Sequence, residues 1–385
     1  MSEWKTYKLG DFAELRKKQI APNGEEQPYI GLEHIEQQSL RLNGIGNSTD
    51  VISNKFKFYN GDILYGKLRP YFRKVYQPKF DGVCSTDIFV IKDKGSIDKS
   101  FLFYLIANEN FTVIANSGSS GTHMPRADWK QLVDSSWKIP VDKKEQKKIA
   151  SILLSLDEKI ELNLQMNQTL EAMVQAIFKE WFVNFNFPGF DGELVDGLPK
   201  GWRKGKLGEE FNITMGQSPP GESYNELGEG AIFYQGRTDF GFRFPTNRIY
   251  TTASNRMAEK LDTLVCVRAP VGDVNMAIEK CCIGRGLSAV RHKTGAYSFT
   301  YYTLKNIEPI FKGFEGEGTV FGSINKANFE NIEVIIPDKN IILKFEEIVN
   351  SIDEKIFNNS LELKTLSQLR DNLLPKLMSG KIEVK

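Results

Sequence analysis

The sequence lacks the long apolar stretches that a membrane-spanning helix requires. Such a helix needs about 18 or more consecutive apolar residues, and the chain of 385 residues contains no run of this kind. Its first residues, MSEWKTYKLG, also lack the apolar core of a secretory signal peptide. We therefore expect a protein with no membrane partner that resides in the cytoplasm.

Cysteine and histidine are scarce, which limits disulfide and metal chemistry. The 4 cysteines, Cys84, Cys266, Cys281 and Cys282, form no CxxC pair, and the 3 histidines are too widely spaced for an HExxH motif. Adjacent cysteines do not make a disulfide framework, so the sequence predicts a reducing compartment. We expect no metal site in this chain.

Familiar catalytic motifs are also missing. The sequence has no GxxxxGK[ST] phosphate loop, no GxSxG nucleophile elbow and no [DN]PP[YF] motif of adenine methyltransferases. The bare GxG of Gly284–Gly286 is a weak indication of a cofactor loop. We expect a protein that binds and does not catalyse. An enzyme with an unfamiliar site and a coiled-coil scaffold that binds no DNA are the alternatives from other classes.

The chain repeats itself at a distance of about 200 residues. WKTYKLGD at 4–11 returns as WRKGKLGE at 202–209, and LDEKI at 156–160 returns as IDEKI at 352–356. Other pairs keep the same order, so the protein is two copies of one unit. This period is far longer than that of a solenoid repeat, which predicts that each unit is a domain plus an appendage.

Each unit has two parts that differ in amino-acid composition and pattern. The first part has short runs of β-branched and aromatic residues separated by Asn-Gly and Asp-Gly turns, which predicts a mainly β or α+β domain. The second part is rich in Leu, Ile, Glu and Lys, and predicts one long helix. The resulting segments are 1–141 (first domain), 142–183 (central helix), 184–201 (linker), 202–337 (second domain) and 338–385 (distal helix).

The two predicted helices carry a narrow apolar stripe in which steps of four and three alternate, as in a coiled coil. The seam positions are Leu153, Leu156, Ile160, Asn163 and Leu170 in the first helix and Val349, Ile352, Ile356, Asn359 and Leu366 in the second. The order domain, helix, domain, helix most easily pairs the helices antiparallel, as a rod of roughly 50 Å. The alternative is that each helix packs only on its own domain.

Asn163 and Asn359 occupy equivalent seam positions, which leaves two interpretations open. In the first interpretation, the two asparagines fix the register and orientation of the helices, because an unpaired Asn in the seam would lose its hydration at a cost in free energy. Alternatively, both face solvent at a local break in the stripe.

The charge is balanced overall but uneven locally. The net charge is +1, which by itself predicts no acidic partner. Between Val51 and Phe80, however, seven Lys and Arg side chains alternate with aromatic residues, and Asp62 is the only acid. The matching region of the second unit contains Arg237, Arg243 and further arginines at intervals. Because basic side chains contact phosphates and Arg recognises guanine edges, this distribution indicates DNA binding.

Several motifs resemble one known family. GDILYGKLRPY at 61–71 and DGVCSTD at 81–87 resemble one class of target-recognition domain in the specificity (S) subunits of type I restriction-modification systems. MGQSPP at 215–220, VRAPVGD at 267–273 and CIGRG at 282–286 resemble a second class. The twofold order of recognition domain and helix is that of the family, so the resemblance covers essentially the whole chain.

The resemblance implies an α+β fold with two pseudo-twofold-related target-recognition domains separated by an antiparallel coiled coil of two long helices. Each domain would recognise one half of a bipartite, asymmetric site on double-stranded DNA, with the helices as a ruler for the gap. Two methyltransferase (M) subunits and motor-nuclease (R) subunits would be partners. Cofactors would then be absent here, with S-adenosylmethionine, ATP and Mg bound only by the partners. The alternative is a recognition subunit of a combined restriction-methylation enzyme outside type I.

The expected DNA contacts lie in the motifs and in one Gly-rich loop, whose glycines allow the backbone to approach DNA closely. In the first domain they are Lys67, Arg69, Tyr71 and Arg73, with Ser119, Thr122 and His123 in the loop. In the second they are Gln217, Ser218, Tyr224, Asn225, Gln235, Arg237, Arg268 and Arg285. The alternative roles for these side chains are packing and turn capping.

Overall fold

The computed structural model describes residues 3–21, 24–117, 124–315 and 322–384. Its contacts divide the chain into two units. Unit 1 consists of Met1–Leu162 and Leu363–Lys385, and unit 2 consists of Asn163–Glu362. Each unit therefore contains one domain and part of both long helices.

Unit 1 has a mixed α+β domain. Its strands are β1 (Trp4–Lys8), β2 (Ala13–Leu15), β3 (Gln19–Ile20), β4 (Pro28–Ile30), β5 (Gly46–Asn47), β6 (Lys55–Phe58), β7 (Ile63–Gly66), β8 (Val75–Tyr76), β9 (Gly82–Ser85), β10 (Ile88–Asp93) and β11 (Ser136–Pro140). Its helices are α1 (Leu9–Phe12), α2 (Lys99–Ala107), α3 (Glu109–Ser117) and α4 (Trp129–Val133), followed by α5 (Lys143–Phe182), which continues into unit 2.

Unit 2 repeats this order of elements after two additional short strands. Its strands are β12 (Leu194–Val195), β13 (Leu198–Pro199), β14 (Arg203–Lys206), β15 (Phe211–Met215), β16 (Tyr224–Asn225), β17 (Ala231–Tyr234), β18 (Ile249–Thr251), β19 (Met257–Ala258), β20 (Thr263–Cys266), β21 (Val274–Met276), β22 (Cys281–Ile283), β23 (Leu287–His292) and β24 (Glu333–Ile336). Its helices are α6 (Leu207–Glu210), α7 (Tyr297–Asn306), α8 (Glu308–Lys312), α9 (Lys326–Glu330) and α10 (Lys339–Met378), which continues into unit 1.

The sheets of the two domains correspond strand by strand. The four-stranded orders β2-β10-β7-β8 and β15-β23-β20-β21 match, and so do the pairs β1-β11 and β14-β24. Each unit also has a five-stranded sheet, and four of its strands correspond: the order is β6-β9-β4-β5 in unit 1 and β19-β22-β17-β18 in unit 2. The pairs β4-β9 and β17-β22 are parallel. The two five-stranded sheets differ at the edge, because β3 extends one end of this shared order and β16 extends the other. The duplication inferred from sequence is therefore a duplication of topology.

The two long helices pair antiparallel within each unit. In unit 2, Phe178 of α5 contacts Phe345 near the start of α10, with ring centroids 5.8 Å apart, whereas Asn163 reaches Glu362 further along that helix. In unit 1, Asp157 of α5 pairs with Arg370 of α10. Both helices also contribute buried side chains to the domain core of each unit. The predicted α+β class and antiparallel helix pairing are confirmed.

The predicted seam positions are all at least partly buried. Leu153, Ile160, Asn163, Val349, Ile356 and Asn359 are buried, and Leu156, Leu170, Ile352 and Leu366 are half-buried. The two asparagines do not face solvent: each is 0 % exposed. No helix in the described part of the chain is both long and apolar enough to cross a membrane.

Candidate DNA-binding surface

Three segments of unit 2 form one backbone framework: the loop after β20, the turn between β22 and β23, and the chain before α9. The Val267 amide donates to the Gly286 carbonyl at 2.9 Å, and the Ile324 amide donates to the Val267 carbonyl at 3.0 Å. The Ala269 amide donates to the Gly322 carbonyl at 3.0 Å. Because backbone bonds close these loops, their side chains project from a fixed frame.

Two further segments, after β15 and after β17, join the same framework. The Gln217 amide donates to the Ile283 carbonyl at 3.0 Å, and the Arg285 amide donates to the Ser218 hydroxyl at 3.3 Å. A Cβ at Gly286 would collide with the carbonyl oxygen of Gln235. The glycine of this motif is therefore needed for close approach of two backbones, which favours a structural role for it over a cofactor loop.

Four of the predicted contact residues of unit 2 present free polar groups on this framework. The side chains of Gln217, Gln235, Arg268 and Arg285 are exposed, and the described residues offer their amide and guanidinium groups no hydrogen-bond partner. Arg237 is half-exposed and its Nε pairs with the carboxylate of Asp273. The framework therefore carries two guanidinium groups and two amides that have no partner within the described ranges, and such groups suit base edges and phosphates.

Tyr224 and Asn225 are used within the fold. The Tyr224 hydroxyl donates to the Pro219 carbonyl at 2.9 Å, and its ring packs on Phe233. The Asn225 Oδ1 accepts from the amides of Leu227 and Glu229, which caps a turn. Of the predicted residues of unit 2, these two have the least capacity left for DNA.

Unit 1 builds the same framework from different side chains. The Lys67 amide donates to the Asp87 carbonyl at 2.9 Å, and the Ala127 amide donates to the Lys67 carbonyl at 2.9 Å. The Arg69 amide donates to the Pro125 carbonyl at 2.8 Å. The β7–β8 connection of unit 1 is thus held like the β20–β21 connection of unit 2.

The predicted basic residues of unit 1 surround a short turn in this connection. Arg69 and Arg73 flank Pro70–Phe72 with φ of 51° and 44°, so both adopt the left-handed conformation. Tyr71, at the tip, is 44 % exposed. Lys67 lies 5.8 Å from the ring centroid of Phe89. Such positive φ values are uncommon outside Gly, and they occur where surrounding contacts determine the backbone.

The Gly-rich loop candidates Ser119, Thr122 and His123 lie outside the described residues. Its C-terminal side is described at Arg126, which forms a bridge with Leu68 and an ion pair with Asp87 at 3.2 Å. Sequence reasoning missed Arg126. Its nearness to the Lys67 turn comes from tertiary pairing, and no local pattern signals it.

Arg243 departs from the basic region in which the sequence placed it. Its side chain is 1 % exposed and packs on the rings of Tyr301 and Tyr302. Burial opposes its charged form, but the carboxylate of Asp353 and its other neighbours hold its pKa well above the ordinary value. It therefore remains a guanidinium, inside the unit rather than on a DNA-facing surface.

The cysteines do not form a reactive site. All four are free and buried, and burial raises the pKa of the Cys266 thiol to about 12. Burial likewise raises the pKa values of Cys84 and Cys281. These thiols therefore stay protonated near neutral pH. Within the described ranges no group of three His, Cys, Asp or Glu side chains could hold a metal ion.

Comparisons with known proteins agree on one family. The family model described as "Type I restriction modification DNA specificity domain" matches residues 1–172 and 199–369. The chain is 29% identical over 412 residues to a putative type I restriction enzyme MjaX specificity subunit of Methanocaldococcus jannaschii, covering 100% of this chain and 94% of the relative. It is 29% identical over 477 residues to the type I restriction enzyme HindI specificity subunit of Haemophilus influenzae, covering 99% and 100%.

A solved structure supports the fold. The crystal structure of a type I restriction-modification system S subunit from M. genitalium aligns with a TM-score of 0.59 at 19% identity. The alignment covers 98% of this chain and 96% of that chain.

Proposed function

Because this chain belongs to the type I restriction-modification DNA specificity family, we propose that it is the subunit that recognises DNA sequence for such a system. Each domain recognises one half of a bipartite site on double-stranded DNA. The observation that carries this proposal is the loop framework of unit 2, on which Arg268 and Arg285 present exposed guanidinium groups that no side chain among the described residues pairs with. An Arg fork matches O6 and N7 of guanine, so such groups can discriminate between bases.

The two half-sites differ in sequence. Lys67-Leu68-Arg69 of unit 1 and Val267-Arg268-Ala269 of unit 2 take equivalent places in the two frameworks, because each triplet makes the same backbone bonds. Unit 1 therefore presents basic groups at the first and third positions, and unit 2 presents one at the second. Equivalent backbones with different side chains are expected to prefer different bases, which makes the site asymmetric.

Partner subunits carry out the chemistry. The long helices leave several apolar side chains exposed on α5 and α10, and we propose that partner subunits cover them. These side chains include Leu162 and Met173 of α5 and Leu343, Ile348 and Leu361 of α10. We infer two methyltransferase (M) subunits and motor-nuclease (R) subunits as partners in the cytoplasm. S-adenosylmethionine, ATP and Mg belong to those partners, and this chain is not catalytic.

The type I assignment is favoured over a combined restriction-methylation enzyme. The M. jannaschii and H. influenzae relatives, which align over nearly their whole length, are both named as type I specificity subunits. In a non-type-I enzyme the same chain would differ only in its partners.

Methyl transfer tests the proposal directly. The full chain is mixed with duplex DNA and labelled S-adenosylmethionine, with and without an M subunit from the same restriction-modification system. We expect labelling of DNA only when both proteins are present, and only on duplexes that contain one bipartite sequence. Labelling by this chain alone would make it an enzyme. Sequence-independent labelling by the pair would contradict its role in specificity.

A further inference from the structure

One buried ion cluster joins the domain of unit 2 to both long helices. We call it the Arg243 cluster: Arg243, Glu171, Lys305, Tyr302 and Asp353. Arg243 Nη1 donates to Glu171 Oε2 of α5 at 2.5 Å, and its Nη2 donates to Asp353 Oδ1 of α10 at 2.9 Å. Arg243, Glu171 and Asp353 are respectively 1 %, 5 % and 5 % exposed. One guanidinium therefore holds a carboxylate on each helix.

The domain side of the cluster is tied down as well. Tyr302 of α7 accepts a bond from Arg243 Nη1 at 2.7 Å, and Lys305 of α7 pairs with Glu171 at 3.1 Å. The Ser298 hydroxyl donates to Asp353 Oδ2 at 2.5 Å. Removal of charged groups from water is unfavourable, and the attraction between the ions does not always offset that cost. An apolar contact would suffice for stability alone, so the cluster is a candidate for fixing geometry.

The loop that carries Arg243 leads directly from the DNA-binding framework. It follows Arg237, which pairs with Asp273, and it is closed by a bridge between Phe240 and Pro245. The Arg243 carbonyl accepts from the Met276 amide at 2.9 Å, at the end of β21. The strand β21 follows the Arg268 loop along the chain. Arg243 is therefore connected to the segments on both sides of the framework.

Unit 1 has a corresponding arrangement with the arginine on the helix. Arg370 of α10, 4 % exposed, donates to Asp157 Oδ1 of α5 at 2.9 Å and to the Ser39 carbonyl at 3.3 Å. Ser39 lies in the loop closed by the Ile35–Leu42 bridge, which takes the place of the Arg243 loop. The Tyr104 hydroxyl donates to Asp157 at 2.7 Å. The arrangement thus recurs although the arginine comes from a different part of the chain.

We infer that Arg243 is a positioning residue: it locks the DNA-binding framework of unit 2 to the helix pair, and the preferred gap between half-sites depends on it. The inference rests on the proposed function. The carboxylate on α10 is the Asp of the repeated DEKI motif, so the repeat preserves the point at which helix and domain are joined. Arg243 itself touches no DNA.

The test compares the full chain, assembled with its M subunit, with an Arg243→Lys variant. Lysine keeps the charge but lacks the fork that reaches two carboxylates at once. Affinity is measured for duplexes whose gap is the preferred one, one base pair shorter or one longer. The wild type should prefer one gap. In the variant, the ratio of affinities for the preferred and altered gaps should fall about fivefold to tenfold.

Arg203→Lys is the matched control. Arg203 also pairs with two carboxylates, Glu209 at 2.6 Å and Glu210 at 3.1 Å, but its side chain is half-exposed. The gap preference of the Arg203→Lys variant should equal that of the wild type. A merely destabilised protein would bind all gaps more weakly in the same proportion, so the ratio separates positioning from stability.

A second variant covers the case in which Arg243→Lys does not fold. The combined change of Arg243→Met, Glu171→Gln and Asp353→Asn removes the buried guanidinium and both buried carboxylates together, which preserves folding better than removal of one partner. The Lys305 ammonium loses its ion pair with Glu171 but is only half-buried. Loss of gap preference in either folded variant supports the inference, and full retention of it overturns the inference. If the wild-type complex prefers no sequence at any gap, the proposed function fails, and this inference fails with it.

Discussion

Asn359 of α10 donates its side-chain amide to Oδ1 of Asn167 of α5 at 2.9 Å, with both residues buried between the helices. Asn163 makes a second such contact by donating to Glu362 Oε2 at 2.8 Å. The Nδ2 groups of Asn163 and Asn359 meet these acceptors only when the facing helix is in one register. These bonds match the hypothesis that Asn163 and Asn359 fix register and orientation.

Substitutions of Asn167 and Asn359 should have strongly non-additive effects on the free energy of unfolding. Asn359→Leu leaves the side-chain oxygen Oδ1 of Asn167 buried without this donor. The change should lower the free energy of unfolding by about 1–3 kcal/mol. The double change of Asn167→Leu and Asn359→Leu removes both partners and should be nearly neutral. Urea denaturation of the wild type, the two single variants Asn167→Leu and Asn359→Leu, and the double variant measures the coupling. Additive effects would show that the pair does not interact.

The register hypothesis has its own test. Changing Asn163 and Asn359 together to Leu removes the two amides that donate to the facing helix at equivalent seam positions and leaves Asn167 as a buried polar residue of the seam. We expect a mixture of helix pairings or oligomeric states, measured by light scattering and by cross-linking of cysteines placed on facing positions. A single state with unchanged pairing would mean that Asn163 and Asn359 are not needed to set the register.

Arg268 should discriminate between bases. Arg268→Ala should weaken binding to the cognate duplex by about 1–3 kcal/mol and relax the preference at one base pair. Arg268→Lys keeps the charge but loses the planar fork, so it should also relax specificity. Competition binding with single-base variants of the half-site measures this. Full rescue by lysine would assign Arg268 to a phosphate instead.

Lys67 should act through charge rather than sequence. If it neutralises one phosphate, Lys67→Gln should reduce the slope of log affinity against log salt concentration by about 1, with equal weakening on all sequences. A salt titration on cognate and unrelated duplexes makes the comparison. An unchanged slope would remove Lys67 from the DNA contacts, and a loss confined to the cognate duplex would make it a base contact.

Glu346 makes unit 2 sensitive to pH. Burial raises the pKa of Glu346 to about 7, whereas the ordinary Glu value is about 4.3. Between these values the folded state holds a proton that the unfolded chain has released. Stability is therefore greatest at low pH with respect to this group, falls as pH rises towards 7, and is constant above it.

Glu346→Gln should remove this dependence. Glutamine keeps an oxygen that accepts the Phe299 amide, a bond of 2.6 Å, without the cost of ionisation. The variant should be more stable than the wild type by about 1–3 kcal/mol at pH 8 and should match it near pH 4. Urea denaturation at both pH values measures it, with the exposed neighbour Glu347→Gln as control. A variant that is less stable at pH 8 would contradict the assignment.

The sequence was sufficient to predict the features that depend on the spacing of apolar residues within one element and on the internal duplication. The spacing of Leu153, Ile160 and Val349 is a property of one helix at a time, so the long helices and their buried stripe could be inferred without coordinates. Strand texture and turn signals likewise gave the mixed domains. The repeated DEKI motif established the duplication, although nothing in it indicated a junction between helix and domain.

Tertiary placement could not be predicted. Gln217 and Arg285 are far apart in the chain, and only the backbone bonds of the loop framework bring their segments together. Arg243 looked like its exposed neighbours because its burial depends on Glu171 and Asp353, which lie on helices distant in sequence. Residue type and local spacing carry no information about such pairings.

The central claim is that this chain selects two different stretches of DNA and leaves catalysis to partners. The most direct measurement is single-molecule sequencing of methylated bases in cells that carry the gene and in cells from which it has been deleted. We predict a bipartite motif with two unlike halves, carrying methylated adenine, that disappears on deletion and returns when the gene is restored. An unchanged methylation pattern in a strain whose M subunit is active would contradict the claim.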